Sequence, residues 1–154
     1  VIATSLRPAP LRPLGQGWET ISFASTLYLC PILDLLLEHI PPKWHPELRL
    51  GLQEALVNAA KHGNNLDPSK TVKVQFSVVN NEYWWIISDE GSGFPAPYCD
   101  LPEYNGNLPC DESESGRGLC LLRQIFDQVC WNHHGTEVRL CKQMNSRSRL
   151  PLIT

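Results

Sequence analysis

Nowhere does this sequence carry an apolar run long enough to cross a bilayer. Its most apolar stretch, LYLCPILDLLL from Leu27 to Leu37, is interrupted by Pro31 and Asp34 and falls well short of the ~20 residues that a spanning helix needs. The amino-terminal VIATSLRPAPLRPLGQG lacks the apolar segment of a secretory signal and is proline-rich, so residues 1–17 read as a flexible arm. An excess of one charge is missing as well. Thirteen basic against sixteen acidic residues leave a formal charge of -3, which gives no general reason to bind nucleic acid or an anionic membrane. There is no CxxC pair: Cys30, Cys99, Cys110, Cys120, Cys130 and Cys141 are scattered along a chain long enough to fold unstapled, so reduced thiols are expected. CWNHH, Cys130 to His134, holds metal-ligand residue types, but no second cluster stands at a zinc spacing. Together these absences point to a soluble, cytoplasmic protein whose partner is neither a nucleic acid nor a membrane.

What is present suits one globular domain, with 42% hydrophobic and 19% charged residues over 154 positions, enough to bury roughly two-thirds of the unfolded surface. WETISFAST, Trp18 to Thr26, has strand composition, and Ser25 or Thr26 could cap a helix that takes Pro31 in its first turn and runs to about Ile40. PPKWHP ends it. A second helix is expected from about Pro46 to His62, with Leu48, Leu52, Ala55, Leu56 and Ala59 on one face and Gly63 with Asn64 as its stop. TVKVQFSVV and EYWWIIS read as strands of a hairpin turning at Asn80-Asn81, the second covered on both faces. Gly91 to Ser115 is a long aperiodic loop with the look of a lid. Gly118 to Val129 reads as a helix, VCWNHH with TEVRLCK as a last hairpin turning near Gly135, and residues 143–154 as a disordered tail. The hairpins predict an α+β two-layer sandwich over residues 18–142, a mixed and mostly antiparallel sheet with helices on one face.

Three features stand apart from this framework. In LQEALVNAAKHGNN, Glu54, Asn58 and Lys61 fall at i, i+4 and i+7, a single stripe at about 100° per residue. Taken alone, the stripe reads more simply as the wet side of an amphipathic helix. In SDEGSGF, Asp89 closes a strand and is followed by Gly91 and Gly93, backbone that a flat ligand could approach closely; a tight turn is the plainer alternative. In SGRGL, Gly116 and Gly118 flank Arg117 where a helix opens, a setting suited to an anion.

In this order, EALVNAAKHG, DEGSGF and GRGL resemble the Asn box and the two glycine boxes of the GHKL ATPases, the superfamily of gyrase, the heat-shock chaperone ATPase, histidine kinases and the mismatch-repair ATPase. Within it the chain is most similar to the small stand-alone anti-sigma-factor serine/threonine kinases. The likeness extends over about residues 18 to 142 and includes GTEVRL, which looks like the closing Gly-Thr strand.

The resemblance implies a GHKL-type ATP-binding fold and a role for each box. Asp89 would accept a hydrogen bond from the adenine amine and oppose the carbonyl of guanine, with Thr136 supporting that contact through a water. Asn58 would give its amide oxygen to Mg2+, and Lys61 would meet the phosphates. Gly91, Gly93, Gly116, Arg117, Gly118 and Leu119 would complete the nucleotide site. Glu54 would act as the base that deprotonates a hydroxyl nucleophile, whereas His62 is read as a packing or capping residue. Asp100, Glu103, Asp111, Glu112 and Glu114 make the lid acidic, which suits an outward face better than one turned to ATP.

The implied activity is ATP-dependent phosphorylation of an anti-anti-sigma-type protein by a kinase that otherwise holds a sigma factor; a homodimer is possible. Two other readings stay open at this point. One is a module in which ATP gates partner binding without transfer. The other is the ATP-binding part of a histidine kinase system.

Overall fold

The computed structural model describes residues 17–94 and 114–144. In chain order its elements are β1 (Glu19–Ala24), α1 (Cys30–Leu37), a 3-10 turn (Pro42–Trp44), α2 (His45–Val57), a π-helical turn (Asn58–Gly63), β2 (Thr71–Val79), β3 (Glu82–Ser88), α3 (Glu114–Ile125), β4 (Gln128–Trp131) and β5 (Glu137–Gln143). The strands form one sheet in the order β1-β2-β3-β5-β4, and every neighbouring pair among them is antiparallel. The two-layer α+β architecture expected from the sequence is the one observed.

The sheet follows from residue alternation. Val72, Val74 and Phe76 of β2 turn to the helices, and so do Tyr83, Trp85 and Ile87 of β3 and Val138 and Leu140 of β5. Against them pack Leu33, Leu36 and Leu37 of α1, Leu48, Leu52, Ala55 and Leu56 of α2, and Leu122 and Ile125 of α3. Leu48, Leu52 and Leu56 are wholly buried, each contributing about 1.5–3 kcal/mol by removal from water. The reverse face has its own small cluster, in which Trp84 meets Val79 and Cys141 with Trp18 against them. This is why WWII shows no alternation: Trp84, Trp85, Ile86 and Ile87 are all buried. The β2–β3 hairpin turns at Asn80 and Asn81, both at positive φ (48° and 64°), as a two-residue turn matched to strand twist requires.

Several boundaries differ from the sequence reading. The cap of α1 is Leu29, with no side-chain cap bond. Thr26 instead accepts a hydrogen bond from the Tyr28 amide at 3.0 Å, and Ser25 donates to the Lys70 carbonyl at 2.9 Å. Both hydroxyls are drawn into the turn after β1. Helix α3 begins at Glu114 and stops at Ile125, so Gln128 and Val129 belong to β4. Gln143 lies in β5. Cys30 and Cys141 are free, but Cys120 and Cys130 are disulfide-bonded, which corrects the expectation of uniformly reduced thiols. The arm up to residue 16, residues 95–113 of the lid and the tail from residue 145 lie outside the described residues.

One charge sits deep in the helix–sheet interface. Lys142 of β5 is 1% exposed; its Nζ donates to the Ile125 carbonyl at 2.9 Å, pairs with Glu47 at 3.4 Å and lies 5.0 Å from the Trp44 ring centroid. It thereby joins the end of α3 and the start of α2 to the sheet. A lysine is buried in this way only when partnered.

Candidate functional site

The polar side of α2 carries Glu54, partly exposed, and α3 comes close enough to touch it. A Cβ on Gly118 would overlap Glu54 Oε1 and stand 3.0 Å from its Cδ. Gly51 makes a similar allowance one turn earlier, since a Cβ there would lie 2.6 Å from Cε2 of Phe126. The two helices meet across glycines, and that closeness sets the GRGL box on the carboxylate of Glu54. Gly118 is buried and Leu119 half-buried, with Gly116 and Arg117 in the first turns of α3. The box therefore lies inside the helix and not ahead of it.

Beyond Glu54 the helix changes its hydrogen bonding. From Asn58 to Gly63 the turn is π-helical, closed by the Asn64 amide on the Ala59 carbonyl at 2.9 Å, an i to i−5 bond. A wider turn advances fewer degrees per residue. It lets both Ala59 and Ala60 face the core and rotates Lys61 off the straight stripe read from the sequence. Asn58 is half-exposed, and Lys61 and His62 are exposed, so His62 is not a packing residue. Among the described residues neither the Asn58 carboxamide nor the Lys61 ammonium is engaged by a protein group.

The end of β3 folds against this turn. The Asp89 amide donates to the Thr136 carbonyl at 2.9 Å, and the Gly91 amide donates to Asp89 Oδ1 at 2.8 Å. Among the described residues Oδ2 accepts nothing, so one carboxylate oxygen is held and one is left for a donor. Burial pushes the Asp89 pKa up, opposed by the Gly91 hydrogen bond and by the charge of Lys70. Gly63 lies directly on this carboxylate, where a Cβ would be 2.7 Å from Oδ1, and a Cβ on Gly91 would run into the Gly63 carbonyl. Gly93, at φ +84°, packs on the His134 carbonyl, while Gly135, at φ +71°, packs on the backbone of Phe94. The loops after β3 and before β5 thus interlock through their glycines.

Two residues that sequence reasoning missed complete the arrangement. Asn132 presents its carboxamide to the next turn: Oδ1 accepts from the Thr136 amide at 2.9 Å and Nδ2 donates to Thr136 Oγ1 at 3.0 Å, fixing the hydroxyl beside Asp89. Asn64, read only as part of a helix stop, is wholly buried and bonded through every side-chain donor. Neither belongs to a glycine box or a helical stripe, and only three-dimensional proximity shows them.

The contact of Glu54 with Gly118 and that of Asp89 with Gly63 thus mark the two ends of the stretch from α2 through its π turn, with Asn58 between them. A model of the histidine kinase-like ATPase domain matches residues 33–142. The chain belongs to that family. This ATPase domain is 32% identical over 103 residues to the serine-protein kinase RsbW of Bacillus subtilis (strain 168), an alignment covering 64% of each chain. It is 29% identical over 104 residues to the anti-sigma F factor of Geobacillus kaustophilus (strain HTA426), covering 64% of this chain and 68% of that one. To the anti-sigma F factor of Clostridium perfringens (strain SM101 / Type A) it is 26% identical over 106 residues, 65% of this chain and 73% of that one. The chain thus spans 64% of the length of the Bacillus subtilis kinase.

Membership implies ATP as the ligand, and one feature suits it: among the described residues Asp89 holds the Gly91 amide on Oδ1 and keeps Oδ2 for a further donor. For Mg2+, the described residues contain no group of three or more His, Cys, Asp or Glu that would cage a metal. A single amide at Asn58 suits an ion that takes most of its oxygens from water and phosphate. Among the described residues no helix is long and apolar enough to cross a membrane.

Proposed function

We propose that this chain is an ATP-dependent serine/threonine protein kinase that acts as an anti-sigma factor in partner switching, phosphorylating an anti-anti-sigma-type protein. The observation that carries the reading is the contact of Glu54 with Gly118. It sets a carboxylate on the backbone expected to close over the phosphates, one turn before Asn58. The names of the relatives, a serine-protein kinase and anti-sigma F factors, support the same activity.

In this mechanism Asp89 recognises the base through Oδ2, and Gly91 and Gly93 allow the ring to lie close to the chain. Asn58 would hold Mg2+ and Lys61 draws in the phosphates, with the charge of Arg117 and the close backbone of Gly116, Gly118 and Leu119 beside them. When bound, the ion neutralises phosphate charge. Glu54 takes the proton from the acceptor serine or threonine as its oxygen bonds to the γ-phosphorus and the bond from phosphorus to the β–γ bridging oxygen breaks, leaving ADP. A proton transfer of this kind contributes about a hundredfold to ten-thousandfold. The new phosphate, with about -1.5 to -2 charge, expels the product from its contact and frees the kinase to hold the sigma factor.

The test is transfer of labelled γ-phosphate to candidate anti-anti-sigma proteins by wild type and Glu54→Gln. Transfer by wild type, at least a hundred times slower in the variant while ATP binding stays within a fewfold, is the expected result. No transfer by wild type to any partner, with ATP still changing partner affinity, would make the chain an ATP-gated binding module. Near-normal transfer by Glu54→Gln would remove Glu54 as the base.

A further inference from the structure

Asn64 is wholly buried, yet it lies just past the end of a helical turn, where an asparagine is ordinarily exposed. Its Nδ2 donates to Ser25 Oγ at 2.9 Å and to the Thr71 carbonyl at 2.9 Å. Its Oδ1 accepts from the Glu90 amide at 2.7 Å. One carboxamide therefore joins the turn after β1, the start of β2 and the loop leaving β3, and the residue's own amide closes the π turn on Ala59. A buried amide satisfied at both ends holds its neighbours to one geometry, because each bond lost inside leaves a partner unpaired.

The Glu90 amide belongs to the peptide group that follows Asp89. The peptide group preceding Asp89 is held by its own amide on the Thr136 carbonyl. Both peptide planes flanking the Asp89 Cα are thus pinned, one by Thr136 and one by Asn64, so the direction of the carboxylate is set from the backbone. Glu90 tightens the same loop from the other side, its Oε1 accepting from the Thr71 amide at 2.7 Å and from Thr71 Oγ1 at 2.6 Å. Thr71 is the residue whose carbonyl Asn64 also holds. Gly63, the neighbour of Asn64, supplies the surface on which the Asp89 carboxylate rests.

We propose that Asn64 is a positioning residue for base selection: it aims Asp89 and so sets the preference for adenine over guanine nucleotides. This rests on the reading that Asp89 recognises the base. Asn64 would touch no part of the nucleotide. Losing it should therefore weaken recognition of the base and leave contacts to the phosphates largely intact, whereas a residue that merely supports the fold would weaken both alike.

The experiment measures the affinities of the whole chain for Mg-ATP, Mg-GTP and Mg-tripolyphosphate by calorimetry, below the melting temperature of each variant. Asn64→Ala should lower the ATP-to-GTP affinity ratio at least tenfold and change tripolyphosphate binding no more than twofold. An unchanged ratio in folded Asn64→Ala, or an equal loss for all three ligands, overturns the proposal. Asp89→Asn in the same assay separates the two levels: if it too leaves the ratio unchanged, the base-recognition reading fails, and if it alone abolishes the ratio, only the positioning role fails. Should Asn64→Ala not fold, Ser25→Ala decides, since it removes one anchor of the carboxamide without touching the nucleotide loop. A fewfold fall in the ratio supports the proposal, and no change overturns it.

Discussion

Glu54 on α2 and Gly118 on α3 occupy adjoining space, so that any side chain at 118 would have to displace the carboxylate. Gly118→Ala should therefore act on Glu54 without a change at position 54. Transfer of phosphate should fall roughly tenfold to a hundredfold, the scale of a misplaced reacting group, while ATP binding changes only a fewfold. Single-turnover rates set beside calorimetric affinities check this. Equal losses in both would mean that Gly118 serves binding alone.

Asp89 gives a prediction with a sign. Its pKa is raised, chiefly by burial, so folding disfavours the charged form relative to the unfolded chain. The stability this group contributes is full below the unfolded pKa, about 3.9, and is lost as pH rises through the higher folded value. Asp89→Asn should accordingly stabilise the empty protein at neutral pH and weaken ATP by roughly 1–3 kcal/mol through a mispaired buried contact. In wild type, ATP affinity should begin to fall on acidification at a higher pH than an ordinary aspartate would dictate. Melting curves and titrations from pH 4 to 8 test both halves, and a variant less stable than wild type at pH 7 contradicts the first.

Asn58 stands half-exposed at the head of the π turn with no protein group on its carboxamide among the described residues. Asn58→Ala should abolish Mg2+-dependent nucleotide binding and leave the circular dichroism spectrum unchanged. Loss of the folded signal would instead make it a structural residue.

Lys142 and Glu47 offer a test away from the site. Glu47→Leu leaves the buried ammonium without its counter-charge and should cost about 3–5 kcal/mol, whereas the double change Glu47→Leu with Lys142→Met should recover much of that loss. Urea denaturation gives both values. A double variant less stable than the single would show that the Ile125 and Trp44 contacts of Lys142 outweigh its ion pair.

Much of the layout was legible because it rests on local rules. The alternation in TVKVQFSVV, the positive-φ demand met by Asn80 and Asn81, and the apolar face of α2 each follow from residue type at a fixed spacing, and the glycine boxes could be ordered along the chain. What escaped reading depends on partners distant in sequence. Nothing around Lys142 signals that Glu47 will meet it, and Asn64 beside Gly63 looks like any helix stop until Ser25, Thr71 and Glu90 converge on it. The start of α3 was misplaced for a related reason: glycines at 116 and 118 argue locally against helix, and the packing of α3 on α2 overrides them.

The strand order β1-β2-β3-β5-β4 has a consequence for how the protein is made. The first three strands are neighbours in the sheet and can pair once residue 88 is available, but the partner on the other side of β3 is β5, the last of the described elements in chain order. Between them in the sequence stand residues 89–136, α3 and β4 included, a long separation to close before the pairing rewards it. During translation the backbone edge of β3 from Glu82 to Ser88 therefore stays unpaired until the ribosome has delivered residues 137–143. A chaperone acting on the nascent chain would find its principal target in that interval, and slowing elongation after residue 88 should raise aggregation more than the same pause placed before β2.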